Sequence, residues 1–92
     1  MPGITIDRLS ARPIFDQLAD QLRAMILDGA IPADRKMPSE QSLVDELGVS
    51  VSTVARVMAQ LRAEGLVVFV PGRGAFTAQA DVIAKIKRGR EK

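Results

Sequence analysis

A mainly α-helical fold closed by one small β-hairpin, a helix-turn-helix that carries a wing, is the fold class this sequence predicts. Three observations predict it. Two segments with helical apolar spacing are joined only by Gly48-Val49-Ser50; the β-branched run Leu66-Val67-Val68-Phe69-Val70 follows the second of them; and Pro71-Gly72-Arg73-Gly74 then turns the chain back into Ala75-Phe76-Thr77. A tight connection containing glycine lets two helices meet at a sharp angle. An apolar run, a Pro-Gly turn and a second run make a hairpin. With 92 residues the chain is long enough for one domain of usual size.

Taken in order, Ile4 and Ile6 alternate with Thr5 and Asp7, the spacing of a short extended segment lying on the domain. Ile14, Leu18, Leu22 and Ile26 then recur at helical spacing, with Phe15 and Met25 widening the stripe and Asp16, Asp20 and Arg23 elsewhere. They predict a first helix from Pro13 to Asp28, with Pro13 in its first turn and Gly29 as its stop. Pro32 and Pro38 bracket a polar connector, Ala33 to Met37, read as a loop. Ser39 caps a short second helix whose apolar face is Leu43, Val44 and Leu47 and whose end is Gly48. Ser42 stands where a capping box would have Glu or Gln, so that motif is incomplete. Ser50 caps a third helix on Val54, Val57, Met58 and Leu61, closed by Gly65. After the hairpin, Ala80 to Arg88 reads as an amphipathic helix with Val82, Ile83 and Ile86 on one side. Residues 1–78 are thus expected to form the winged unit, and 79–92 a short helix with a basic tail.

Composition narrows the function. Without cysteine or histidine the chain has no disulfide, no thiol nucleophile, no imidazole base and no zinc site of the usual ligands. Carboxylates such as Asp16 and Asp20 fall on a solvated helix face, and Gly72-Arg73-Gly74 is too short for a phosphate loop, so an enzyme is not expected and neither a metal nor a cofactor is called for. No run of apolar residues suits a membrane span and the N-terminus lacks a signal-peptide pattern, which makes the cytoplasm the expected compartment. The net charge of +2 divides unevenly. Lys85, Lys87, Arg88, Arg90, Glu91 and Lys92 sum to +4, leaving −2 on residues 1–84, so basicity is concentrated at the C-terminal end. That tail reads equally as a solvated end or as a phosphate contact.

Projection of the third helix puts Ser52, Arg56, Ala59 and Ala63 opposite its core stripe, with Thr53 and Gln60 on the flank. Small and hydrogen-bonding side chains near a helix N-terminus suit the major groove of duplex DNA. The free amides at the starts of the second and third helices, capped by Ser39 and Ser50, can receive phosphate oxygens, and Lys36 and Arg35 add charge nearby. Gly72, Arg73 and Gly74 form the wing tip, whose bland alternative is a solvated turn; Arg62 and Glu64 read as scaffold or surface.

These residues resemble the GntR family of bacterial transcriptional regulators across Arg12 to Thr77. The marks are Pro13-Ile14-Phe15-Asp16-Gln17-Leu18, Ile31-Pro32, Met37-Pro38-Ser39-Glu40, Leu47-Gly48-Val49-Ser50 with Thr53-Val54, Leu61-Arg62-Ala63-Glu64-Gly65-Leu66 and Pro71-Gly72-Arg73-Gly74, in that order and spacing. The resemblance implies a winged helix that binds an inverted-repeat operator as a homodimer. The family's usual C-terminal metabolite sensor has no counterpart here, and the short tail looks most like that of the YtrA-like members, which makes Val82, Ile83 and Ile86 the dimerisation candidates. Where many members carry arginines early in the second and third helices, this chain has Gln41, Val51 and Ala55. Thr53 and Arg56 match positions that are commonly Thr and basic in YtrA-like members. DNA contacts are therefore expected from Lys36, Ser39, Gln41, Ser50, Ser52, Thr53, Arg56, Gln60, Gly72, Arg73 and Gly74. Three functions stay open: a repressor acting by occupancy, a winged-helix module for protein interaction, and the DNA-binding piece of a longer regulator, although Met1 and the polar end at Lys92 read as a complete chain.

Overall fold

The computed structural model describes residues 3–90; Met1, and Glu91 and Lys92 of the basic tail, lie outside them. The described elements run α1 (Ile14–Asp28), α2 (Glu40–Leu47), α3 (Val51–Ala63), β1 (Val67–Val70), β2 (Gly74–Thr77) and α4 (Ala80–Arg90). The antiparallel hairpin pairs Val67 with Thr77 through to Val70 with Gly74. The expected fold, three helices with a wing and a further C-terminal helix, is the one observed.

Each of the first three helices turns its predicted stripe to the core, with Ile14, Val44 and Leu47 half-buried at its edge. Leu18, Leu22 and Ile26 of α1, Leu43 of α2 and Val54, Val57 and Leu61 of α3 meet with Leu66 in one core. Ser39 and Ser50 cap α2 and α3, accepting from the amides of Ser42 and Thr53. Gly48 ends α2 at φ +66°, a left-handed conformation that favours glycine, and its amide returns to the Val44 carbonyl. Pro13 differs from expectation by one position: its ψ of 144° is extended, so it stands at the N-cap of α1 and not inside the first turn.

Two segments gain hydrogen-bonded structure beyond what apolar spacing predicts: the connector expected to be a loop, and the extended segment expected around Ile4 and Ile6. The connector expected to be a loop runs beside β2: Met37 N donates to Ala75 O (2.9 Å), Thr77 N donates to Arg35 O (2.8 Å), and Lys36 bridges to Phe76. The buried Thr77 hydroxyl locks it there, donating to Pro32 O (2.7 Å) and accepting from Arg35 N (2.9 Å). Ahead of α1, Ile4 and Ile6 pack on the core while two glutamines hold the intervening backbone. Gln21 accepts from Thr5 N (2.9 Å) and donates to Thr5 O (2.7 Å); Gln17 does the same for Asp7 (2.8 and 3.0 Å). Arg8 then donates to the carbonyls of Leu47 and Gly48, a cation at the C-terminal end of α2.

The last helix corrects one expectation. Ile83, one of three residues expected to face a partner, turns inward and is 7% exposed within the domain's own core. The reason is geometric: α4 packs on α1, and a single helix cannot give all of Val82, Ile83 and Ile86 to an outside partner while one of its faces completes the core. Val82 stays 39% exposed, and Ile86 is half-buried with its side chain close to Gly65.

Candidate nucleic-acid interface

The surface in question has three parts: the first half of α3, the start of α2 and the wing tip. At the start of α3 the Ser50 hydroxyl accepts from the Thr53 amide (3.1 Å) and donates to Thr53 Oγ1 (2.8 Å), with Ser52 Oγ 3.3 Å away. The cap therefore fixes Thr53, which is half-buried, while Ser52 projects to solvent. Val51, the first residue of the helix, is 60% exposed. Arg56, Ala59 and Ala63 are also exposed, as the helical projection predicts, and so is Ala55.

Two of the expected contact residues have their side-chain amides engaged elsewhere. Gln60 donates to Glu64 Oε2 (2.9 Å), on the flank that faces α1, and Gln41 donates to Asp45 Oδ1 (2.8 Å) along α2. Glu64 is itself gripped by Arg23, whose Nε and Nη2 reach its two oxygens at 2.6 and 2.7 Å. The Arg23 hydrogen bond holds the Glu64 carboxyl below its ordinary value against the opposing effect of burial. Glu64, read as scaffold or surface, is the anchor of α3 on α1. Asp20, read as solvated, binds both Arg12 and Arg23.

The wing tip is built by Pro71, which presets φ, and by Gly72 at φ +76°, after which the Arg73 amide closes on the Val70 carbonyl (2.9 Å). Lys36, Ser39, Arg73 and Gly74 line one groove of about 320 Å³ between the start of α2 and the wing, beside Phe69 and Ala75. Glu40 shares this groove, so its charge opposes any phosphate entering there while it favours the amino end of α2.

All three phenylalanines of the chain serve as platforms for arginine: Arg56 lies 4.8 Å from the ring centre of Phe15, Arg73 5.2 Å from Phe76 and Arg62 5.7 Å from Phe69. Among the described residues Arg56, Arg62 and Arg73 form no ion pair, in contrast to Arg12 and Arg23, which pair with carboxylates. The chemistry of the surface is cationic and hydrogen-bonding at its edges, with small side chains along its middle.

Known proteins match this arrangement. The chain is 33% identical over 76 residues to the HTH-type transcriptional repressor NagR of Bacillus subtilis, an alignment covering 83% of this chain and 31% of that protein. Among solved structures it is similar to YtrA from Sulfolobus acidocaldarius, a GntR-family transcription factor (31% identity, TM-score 0.75, 97% of this chain and 98% of that one). It is also similar to AraR(DBD) in complex with operator ORE1 (30% identity, TM-score 0.69, 80% and 90% covered). The family model for bacterial regulatory proteins, gntR family, matches residues 15–77, the stretch that carries the three-helix core and the wing, and the chain belongs to that family.

Proposed function

We propose that this chain is a sequence-specific DNA-binding transcriptional regulator, a repressor that occupies an inverted-repeat operator as a homodimer in the cytoplasm, and that its role is binding and not catalysis. The observation that carries the reading is the exposed first half of α3, with Ser52 and Arg56 on its outer face, next to a groove that gathers Lys36, Ser39 and Arg73. A helix of this kind meets base edges while cations and helix amino ends meet phosphates. Likeness to a domain solved with its operator supports the same reading. Among the described residues no helix is long and apolar enough to cross a membrane.

The test is selection of duplex fragments by the purified chain at low and moderate salt. Enrichment of an inverted repeat that survives moderate salt is the expected outcome, and recovery of no motif at either salt overturns the proposal in favour of a protein-interaction module. Arg56→Ala is expected to abolish selection while leaving the fold intact, because Arg56 is exposed and its side chain lies outside the apolar core.

Pairing of two copies is proposed through Val82 and Ile86, which with Asp81 and Lys85 border a shallow groove on α4. Sedimentation at micromolar concentration is expected to give a dimer; a monomer removes the inverted-repeat part of the proposal. A second reading, the DNA-binding portion of a longer regulator, is favoured by one observation: the chain spans 31% of NagR.

A further inference from the structure

We propose that Val51 is a specificity-determining residue that reads the C5-methyl group of a thymine in the major groove, so that each operator half-site carries a thymine facing the first turn of α3. The inference rests on the DNA-binding reading above and adds which base that surface prefers.

Val51 is the first residue of α3 and stands outside the apolar core, 60% exposed. The other large apolar side chains of the helix, Val54, Val57, Met58 and Leu61, are buried, so Val51 is the one that the helix turns to solvent. It sits between the Ser50 cap and the exposed Ser52, and Ala55, one turn on, is exposed and adds little bulk. A recognition helix brings its N-terminal residues nearest the base edges. Val51 is then the bulkiest apolar group at the depth where bases are read.

The chemistry of the groove gives its preference a sign. Guanine offers two acceptors there, adenine an acceptor and a donor, cytosine a donor, and thymine one acceptor beside a methyl group, the only apolar group on any base edge. An isopropyl side chain pressed against guanine strips water from its acceptors and returns no hydrogen bond, which is unfavourable. Pressed against thymine it removes two apolar surfaces from water at once. Because Val51 makes no hydrogen bond through its side chain, the discrimination it supplies depends on that methyl group. Ser52 and Arg56 alongside remain free to donate to acceptors of neighbouring bases or phosphates.

The experiment uses the full chain and randomised duplex libraries, prepared once with thymine and once with uracil, which lacks only the C5-methyl. The best thymine duplex is then remade with uracil at each thymine in turn, and Kd is read by fluorescence anisotropy. One thymine in each half-site is expected to lose about four-fold in affinity on conversion to uracil, and both together about fifteen-fold, the equivalent of one buried methyl-sized group each. Val51→Ala, with its shorter side chain, is expected to cut the uracil penalty to under about two-fold, with its thermal unfolding not lowered, since the side chain is exposed and alanine is the better helix former. If a motif is selected but uracil is tolerated at every position, or if Val51→Ala keeps the full uracil penalty, the inference fails and the DNA-binding reading stands. If neither library yields a motif, both fail together.

Discussion

Replacement of Leu61 by alanine is expected to lower the unfolding free energy by about 2–5 kcal/mol, the cost of deleting buried aliphatic volume that neighbours refill only in part. Leu61 is fully buried, and α3 packs on α1 on one side and on β1 on the other. Its carbonyl also accepts from the Leu66 amide (3.1 Å), so the residue lies where the helix turns into the wing. A domain of ordinary stability holds about 5–15 kcal/mol in all, so this single change removes a large fraction of it. Urea denaturation is the measurement, with the denaturant slope unchanged from wild type. A loss no greater than that of an exposed change such as Ala59→Ser, about 0.5 kcal/mol, would show that α3 is held by something other than this core.

The second large effect is expected from Glu64→Gln, at about 1–3 kcal/mol near neutral pH. Arg23 and Glu64 keep only 15% and 22% of their side-chain surface, and the pair joins α1 to the end of α3. Removing the carboxylate leaves a largely buried guanidinium with Asp20 as its remaining ion-pair partner, at 2.7 Å. The effect depends on pH with a definite sign. The Glu64 carboxyl is held below its ordinary value of 4.5, chiefly by the Arg23 hydrogen bond, so the native state binds fewer protons there than the unfolded chain. Its contribution is complete above that ordinary value and disappears as pH falls through the lowered native one. Asp20, lowered first by its hydrogen bond to Arg12 and then by Arg23, loses its share in the same direction. The gap in melting temperature between wild type and Glu64→Gln should therefore narrow on acidification. A gap that stays constant through the carboxylate range would mean that the pair does not form in solution.

How much of this was legible beforehand depends on the range of the interaction. Helices α1 to α3 and their ends could be read because their determinants lie within a few residues of each other: apolar spacing, a serine before the first turn, a glycine after the last. Pro71-Gly72 announces the wing for the same reason. The dock of the connector on β2 could not be read, since the Thr77 hydroxyl that fixes it works on residues 42 and 45 positions away. Nor could the pairing of Arg23 with Glu64 or of Arg8 with the end of α2, which lie 41 and about 40 positions along the chain. Periodicity puts Ile83 on an apolar side with Val82 and Ile86 without saying whether the core or a partner covers it, and the dimerisation role came from the family resemblance alone. At the interface, Ser39 and Ser50 were legible as caps, but that Gln41 and Gln60 spend their amides on Asp45 and Glu64 was not, although each pair has the i, i+4 spacing that permits it. The arginine platforms were not legible either, since nothing local to Phe15, Phe69 or Phe76 says which arginine lies over each ring.

The grip of Gln17 and Gln21 on the first extended segment has a bearing on which positions tolerate change. Both amides bond main-chain atoms, so at Thr5 and Asp7 the path of the backbone is set from α1, while Ile4 and Ile6 anchor the segment by packing on the core. Thr5, exposed and bound through its backbone alone, is open to exchange for almost any side chain that accepts an extended conformation. Gln21 is not: glutamate would keep the acceptor for the Thr5 amide and lose the donor for its carbonyl, and lysine would do the reverse. Drift in sequence along this strip should therefore be free at Thr5 and narrow at Gln17 and Gln21, while Ile4 and Ile6 stay apolar because they pack on the core.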